Sequence, residues 1–275
     1  MHPGSIPGVA KYGGYMKIFV SALLIFLTTF CYAQDKPYEV VLEQRPADHA
    51  ISSNIVFVVD ASSTINRSKA AIAKFTLAWD ALIANFASDQ LYIRTYVFHD
   101  QLEERKTKWV DAGGPLGLEK FENHKQWVLR NTGIYSWGLR AIKIAMREVC
   151  PLNKSKSSKR RLTVVLITDG GLTEAADFDG TGTEEEVLNS TIKRHVYARL
   201  GSFSHISKVI AAEQARRVNR ELEPATIVTI GIENTAADIQ YSTSVKRPDA
   251  ECQNWLKKIG KLYNGGYFSV RRKRL

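Results

Sequence analysis

The stretch NIVFVVDASST, residues Asn54 to Thr64, decides the fold. Five apolar residues, Ile55 to Val59, run without a break into Asp60. The run is β-branched and aromatic, too short for a helix, and apolar at odd and even positions alike. A strand of that kind is covered on both faces, as in the centre of a parallel sheet. Its carboxyl end delivers one carboxylate and then two hydroxyls, Ser62 and Thr64, each two residues from the last. Hard oxygen donors in this pattern suit Mg²⁺, Mn²⁺ or Ca²⁺. An Asp/Ser turn that caps the next helix uses the same residue types, so the rest of the chain has to decide between them.

Strand and helix alternate outward from this point. Residues 35–51 are polar and read as a lead-in. Ile65 to Phe86 carries a helical stripe of Ile72, Phe75, Trp79, Leu82, Ile83 and Phe86. Leu91 to Phe98 is a second strand, and Leu102 to Val110 returns as a charged antiparallel edge. Asp111 to Leu118 is a Gly/Pro loop. A helix after Thr132 uses Leu139, Ile142, Ala145, Met146 and Val149, and Pro151 stops it. LTVVLIT, 162–168, is another buried strand and ends on Asp169-Gly170-Gly171. A helix over about 204–222, a strand from Ala225 to Ile232, a helix from Cys252 to Tyr263 and a short strand from Tyr267 to Val270 complete the order. This alternation predicts an α/β fold: a doubly wound, mostly parallel sheet with one antiparallel edge strand and helices on both faces. A single domain covers 52–270, and 271–275 is a basic tail.

The amino end has a different character. Met16-Lys17 precedes IFVSALLIFLTTF, 18–30, and then CYAQD. A Lys, a short apolar run and a small residue at Ala33 read as a secretory signal. Thirteen residues are too few for a helical span, so residues 1–34 are expected to be an extension and signal whose start is Met16, and the mature protein is expected to be periplasmic or extracellular. Bulky Phe30 argues against lipid attachment at Cys31. Cys150 and Cys252 remain, one at the end of a helix and one at the start of another, at opposite edges of the sheet; no bridge between them is expected.

The net charge is +10. Nearly all of the excess lies in two runs, Lys154, Lys156, Lys159, Arg160, Arg161 and Arg271, Arg272, Lys273, Arg274. A nucleic-acid face would be wider and interleaved with aromatics, so no nucleic acid is expected. The runs leave room for weak contact with anionic surfaces. The six His show no paired spacing, and the acidic run from Asp177 to Glu186 lacks a first EF-hand ligand because Ala175 stands there.

Three features reach the carboxyl edge of the sheet, where open α/β sheets place their sites: D-x-S-x-T at 60–64, T-G-I-Y at 132–135 and LITDGG at 166–171. With the closing IGKLYNGGYFSV, this set resembles the von Willebrand factor type A (vWA) domain over about 52–270. The resemblance implies a metal-ion-dependent adhesion site. Ser62, Thr64 and Thr132 would bind a divalent cation directly, most often Mg²⁺ and otherwise Mn²⁺ or Ca²⁺; Asp60 and Asp169 would hold its waters. Thr64 stands where the family has Ser and keeps the oxygen. The implied function is metal-bridged binding of a protein partner's carboxylate, not catalysis, with the long connections 170–203 and 233–250 rimming the site. Two alternatives come from other classes. A Mg²⁺-dependent phosphatase would need a second carboxylate two residues after Asp60, where Ser62 stands. A structural domain with an inactive site would bind no metal.

Overall fold

A computed structural model describes residues 37–47, 50–61, 69–86, 88–98, 105–131, 138–169, 203–233 and 249–273. The chain forms two units. The larger is Val40–Arg272; the smaller takes in Met1–Glu39 and Lys273–Leu275. In the smaller one, the Lys273 amide donates to Pro37 O at 2.8 Å.

The larger unit is built on an eight-stranded sheet. Its strands are β1 (Tyr38–Gln44), β2 (Asn54–Asp60), β3 (Tyr92–Phe98), β4 (Arg105–Lys106), β5 (Val110–Asp111), β6 (Thr163–Thr168), β7 (Thr226–Ile232) and β8 (Asn264–Arg272). The helices are α1 (Lys69–Phe86), α2 (Gly117–Arg130), α3 (Gly138–Met146), α4 (Lys156–Lys159), α5 (Phe203–Asn219) and α6 (Asp249–Leu262). The strand order is β1-β8-β7-β6-β2-β3-β4, with β5 also on β3. Strands β3, β2, β6, β7 and β8 run parallel, and β4 and β5 run against β3. This is the doubly wound sheet with an antiparallel edge that the alternation predicts.

Every residue of β2 is buried, and its side chains divide by parity. Ile55, Phe57 and Val59 join Phe75, Trp79 and Leu82 of α1 and Phe121 and Val128 of α2. Val56 and Val58 join Leu139, Ile142 and Met146 of α3, Ile206 and Ile210 of α5 and Leu256 and Ile259 of α6. A strand with two buried faces thus packs two helical layers. Phe57 anchors one of them, its ring centroid 4.8 Å from that of Trp79 and 6.0 Å from that of Phe121.

Four local expectations change. The lead-in contains β1, an edge strand whose polar residues hide it. The expected return from Leu102 to Val110 is two short pieces. Lys106 faces Tyr96, but Val110 faces Ile93, so the register slips by one residue across Thr107–Trp109; an extra residue there is a bulge in the edge. Helix α2 follows the Gly/Pro loop, and its buried stripe is Phe121, His124, Lys125 and Val128. Two polar members conceal it from a hydrophobicity scan. His124 Nδ1 lies 2.8 Å from Thr95 Oγ1, and Lys125 pairs with Glu122 at 2.6 Å and Asp80 at 3.2 Å. Lastly, Arg271 and Arg272 belong to β8 rather than to a tail.

Helix α3 ends at Met146, short of Pro151. Cys150 lies in the following turn as a buried free thiol whose pKa burial pushes up. The Cys252 side chain lies outside the described residues. After α6, Asn264 and Gly266 take φ of 59° and 77°, the left-handed conformation that ends helices and that Gly and Asn tolerate best.

Candidate metal site

Parallel pairing fixes what meets at the carboxyl edge. Val59 pairs with Ile167 across β2 and β6, so Asp60 comes beside Thr168. Both residues follow the parity of Val58 and Leu166, and their side chains fall on the same face of the sheet. The Thr168 hydroxyl donates to Asp60 Oδ2 at 2.9 Å. On the other side Asp60 pairs with Phe98, and the Ala61 amide donates to Phe98 O at 3.1 Å. Asp60 is 1% exposed. A carboxylate so placed is costly to bury unless donors or a cation satisfy it. The Thr168 hydroxyl donates to it and orients it.

Asp169 follows Thr168 directly and is half-buried. The fold therefore brings Asp60 and Asp169 to one edge, on the ends of adjacent strands. Ser62, Thr64 and Thr132 lie outside the described residues, as do most of the connections 170–203 and 233–250 and the acidic run from Asp177 to Glu186. Among the described residues no group of three or more His, Cys, Asp and Glu converges. The donors that the sequence supplies here are instead two carboxylates and hydroxyls. Such a set fits a hard divalent cation that keeps part of its water shell.

Two residues at this edge escape sequence reasoning. Thr168 reads as the last β-branched residue of a buried strand; only the register with β2 shows that it holds Asp60. Lys74 sits in the apolar stripe of α1 and is 1% exposed. Its Nζ donates to Glu233 O, one residue past β7, at 2.5 Å. This ties α1 to the carboxyl end of β7. On the neighbouring strand β8, the Tyr267 hydroxyl donates to Gln253 Oε1 of α6. Burial, then Glu43 and Glu233, push the Tyr267 phenol above its usual range. A side chain at Gly231 would collide with that Gln253 oxygen, so glycine keeps the contact open.

No family model matches the sequence. No curated protein matches it either. Among solved structures, the chain is similar to a von Willebrand factor type A protein from Catenulispora acidiphila, with TM-score 0.40, 12% identity, and 82% of this chain and 48% of that chain covered. It is similar to the pilus adhesin SpaC from Lactobacillus rhamnosus GG in an open conformation, with TM-score 0.42 and 12% identity over 86% of this chain and 32% of that one. It is also similar to proximal thread matrix protein 1 from the mussel byssus with a zinc-occupied MIDAS motif, with TM-score 0.37 and 16% identity over 93% and 53%. The chain thus spans about half or less of each of these proteins.

Proposed function

We propose that this chain is a vWA-type module that binds a protein partner through a divalent cation and catalyses no reaction. One observation carries the reading. Asp60, fully buried at the end of a central strand, is held by Thr168 with Asp169 next to it. A structural turn gains nothing from sinking a carboxylate between two apolar strands. An oriented, negatively charged oxygen at the carboxyl edge is what a cation site requires.

Asp60 and Asp169 would hold the ion through its waters, and the hydroxyls of Ser62, Thr64 and Thr132 would contact it. A bound Mg²⁺ would offer a partner's carboxylate an open coordination position. Hydroxyl contacts add no charge, so the ion would keep its demand for that carboxylate. The side chain at 62 cannot serve as the general acid that a phosphatase would require there. The proposal places the module outside the cell membrane, after removal of the segment ending near Ala33. Among the described residues no helix is long and apolar enough to cross a membrane.

Thermal unfolding with and without metal tests the site. At one hundred times its dissociation constant, Mg²⁺ should add about 2.7 kcal/mol, a rise of roughly 5–11 °C for a domain of this size. Asp60→Asn can still accept from Thr168 and should fold, yet lose that rise. Partner capture should fail in EDTA. A melting temperature indifferent to both Mg²⁺ and Mn²⁺, or equal capture in EDTA, defeats the reading. Turnover of a simple phosphate ester would replace it with the hydrolase alternative.

A further inference from the structure

The geometry points to an anionic membrane surface as the partner of the edge opposite Asp60. The basic run before β6 is held there in a fixed form. Asn54, 0% exposed, opens β2 and donates from Nδ2 to Ser158 O at 2.8 Å and Arg161 O at 2.9 Å. Asn153 Nδ2 donates to Asn54 Oδ1 at 2.9 Å. Ser155 caps α4 by accepting from the Ser158 amide. Lys154, Lys156, Lys159 and Arg160 stand exposed around this frame.

The fold adds cations that are remote in sequence. Arg217 of α5 donates to Arg160 O at 3.1 Å, which brings the carboxyl end of α5 against the loop. Arg216 and Arg220, exposed, come with it. The nearby acids Glu213, Glu221 and Glu223 are fewer, and two of them are already paired, Glu213 with Arg216 at 2.8 Å and Glu223 with Arg161 at 3.4 Å. The described residues of this edge therefore carry an excess of positive charge.

The choice of partner rests on what accompanies the charge. Neither 150–162 nor 216–225 contains an aromatic residue, so nothing here stacks on a base. Exposed apolar side chains flank the cations instead: Leu152 is 40% and Val218 54% exposed. Cations beside a few projecting aliphatic groups match the surface of a bilayer, where phosphates attract the former and the headgroup boundary takes the latter. This attachment does not rest on the metal reading. With β2 running from one edge to the other, it would turn Asp60 away from the membrane.

Vesicle sedimentation of the full chain tests the inference. Phosphatidylcholine vesicles are compared with vesicles containing about one third phosphatidylglycerol. The apolar segment 18–30 affects both kinds and every variant alike, so only differences count. The anionic vesicles should be favoured. Each of Lys154→Ala, Lys156→Ala, Lys159→Ala and Arg160→Ala should weaken that preference roughly fivefold. Leu152→Ser should weaken it about tenfold at unchanged charge. Exposed positions should leave the urea midpoint unmoved; if any one of these variants unfolds, the remaining ones decide. Equal binding to both vesicles, or variants that bind as wild type, overturns the inference. So does a charge effect with no Leu152 effect and full competition by soluble polyphosphate, which would assign the patch to free polyanions.

Discussion

Replacing Arg217 with Met should cost about 3 kcal/mol of unfolding free energy, a figure built from its hydrogen bonds to charge-bearing donors. Arg217 is 2% exposed, and among the described residues its guanidinium makes no ion pair. It donates instead to four carbonyls: Glu223 O and Met146 O at 2.8 Å, Arg160 O at 3.1 Å and Glu148 O at 3.2 Å. These belong to the end of α3, the basic loop and the turn into β7. Burial, with Arg220 adding to it and Glu223 opposing, brings the Arg217 pKa down to about 10, so the group is still charged at neutral pH. The two short bonds would contribute about 3–6 kcal/mol together. Removing the charge returns part of its desolvation cost, several kcal/mol in a buried site, and Met fills most of the volume. The expected balance of about 3 kcal/mol lowers the melting temperature by roughly 6–12 °C. Urea unfolding gives the free energy, and amide exchange locates it: Glu223, whose amide donates to Arg160 O, and Thr226, whose amide donates to Leu162 O, should lose protection first. Arg217→Lys, with one donor centre, should recover less than half. A loss below about 1 kcal/mol, or full recovery by Lys, would refute the four-carbonyl argument.

Three further outcomes follow from single groups. Phe57→Ala should cost about 3–5 kcal/mol by urea unfolding, since the ring is fully buried between Trp79 and Phe121; a cost under 2 kcal/mol would mean that the layer collapses around the gap. Burial lowers the His124 pKa from 6.5 to about 4, so the folded state binds its proton later than the unfolded state. Stability should therefore fall by about 3 kcal/mol as pH drops from 6.5 to 4, and His124→Asn should remove that limb of the pH profile. Burial alone would raise the Glu213 pKa, but Arg147 at 2.7 Å and Arg216 at 2.8 Å hold it below the usual carboxylate value. Its contribution is present above the ordinary Glu pKa of 4.5 and disappears as pH falls through the lowered one, so Glu213→Gln should flatten stability there; an unchanged acid limb would disprove the assignment.

The legible parts of the fold are those whose period was free of conflict. Residues 55–59 are apolar on both parities, and with β-branched and aromatic residues in a run too short for a helix that pattern reads as a doubly covered strand. Helix α2 was hidden because His124 and Lys125 occupy its buried stripe, a cost met by Thr95, Glu122 and Asp80, which are remote or unremarkable in the sequence. Strand β1 was hidden because an edge strand needs no continuous apolar run. At the candidate site the sequence named Asp60 and Asp169 from their places at strand ends. It could not name Thr168 or Lys74, because their roles come from register and helix packing. A threonine acquires a carboxylate to hold only when β6 lies against β2 in one register, and a one-residue slip would turn it to the other face.

A parallel sheet also imposes a polarity that no single motif expresses. The βα connections of the parallel strands leave from the edge of Asp60, and the αβ connections arrive at the edge of Asn54; only the antiparallel β5 leads into its helix from the Asn54 edge. β2 covers seven residues, which at about 3.3 Å each separates the two edges by about 20 Å. That exceeds the Debye length of about 8 Å at physiological ionic strength. The cations at 154–160 therefore cannot set the affinity of a cation site around Asp60, and clustering them at the far edge costs that site nothing. Had the same lysines lain on the βα side, their repulsion would have opposed a divalent ion directly. The sequence places its acidic segment, Glu174 to Glu186, in a connection that leaves from the carboxylate edge, and its basic run in one that arrives at the opposite edge. The separation of charge along the strand axis would let one small domain hold the proposed cation site on one side and the proposed membrane-facing surface on the other.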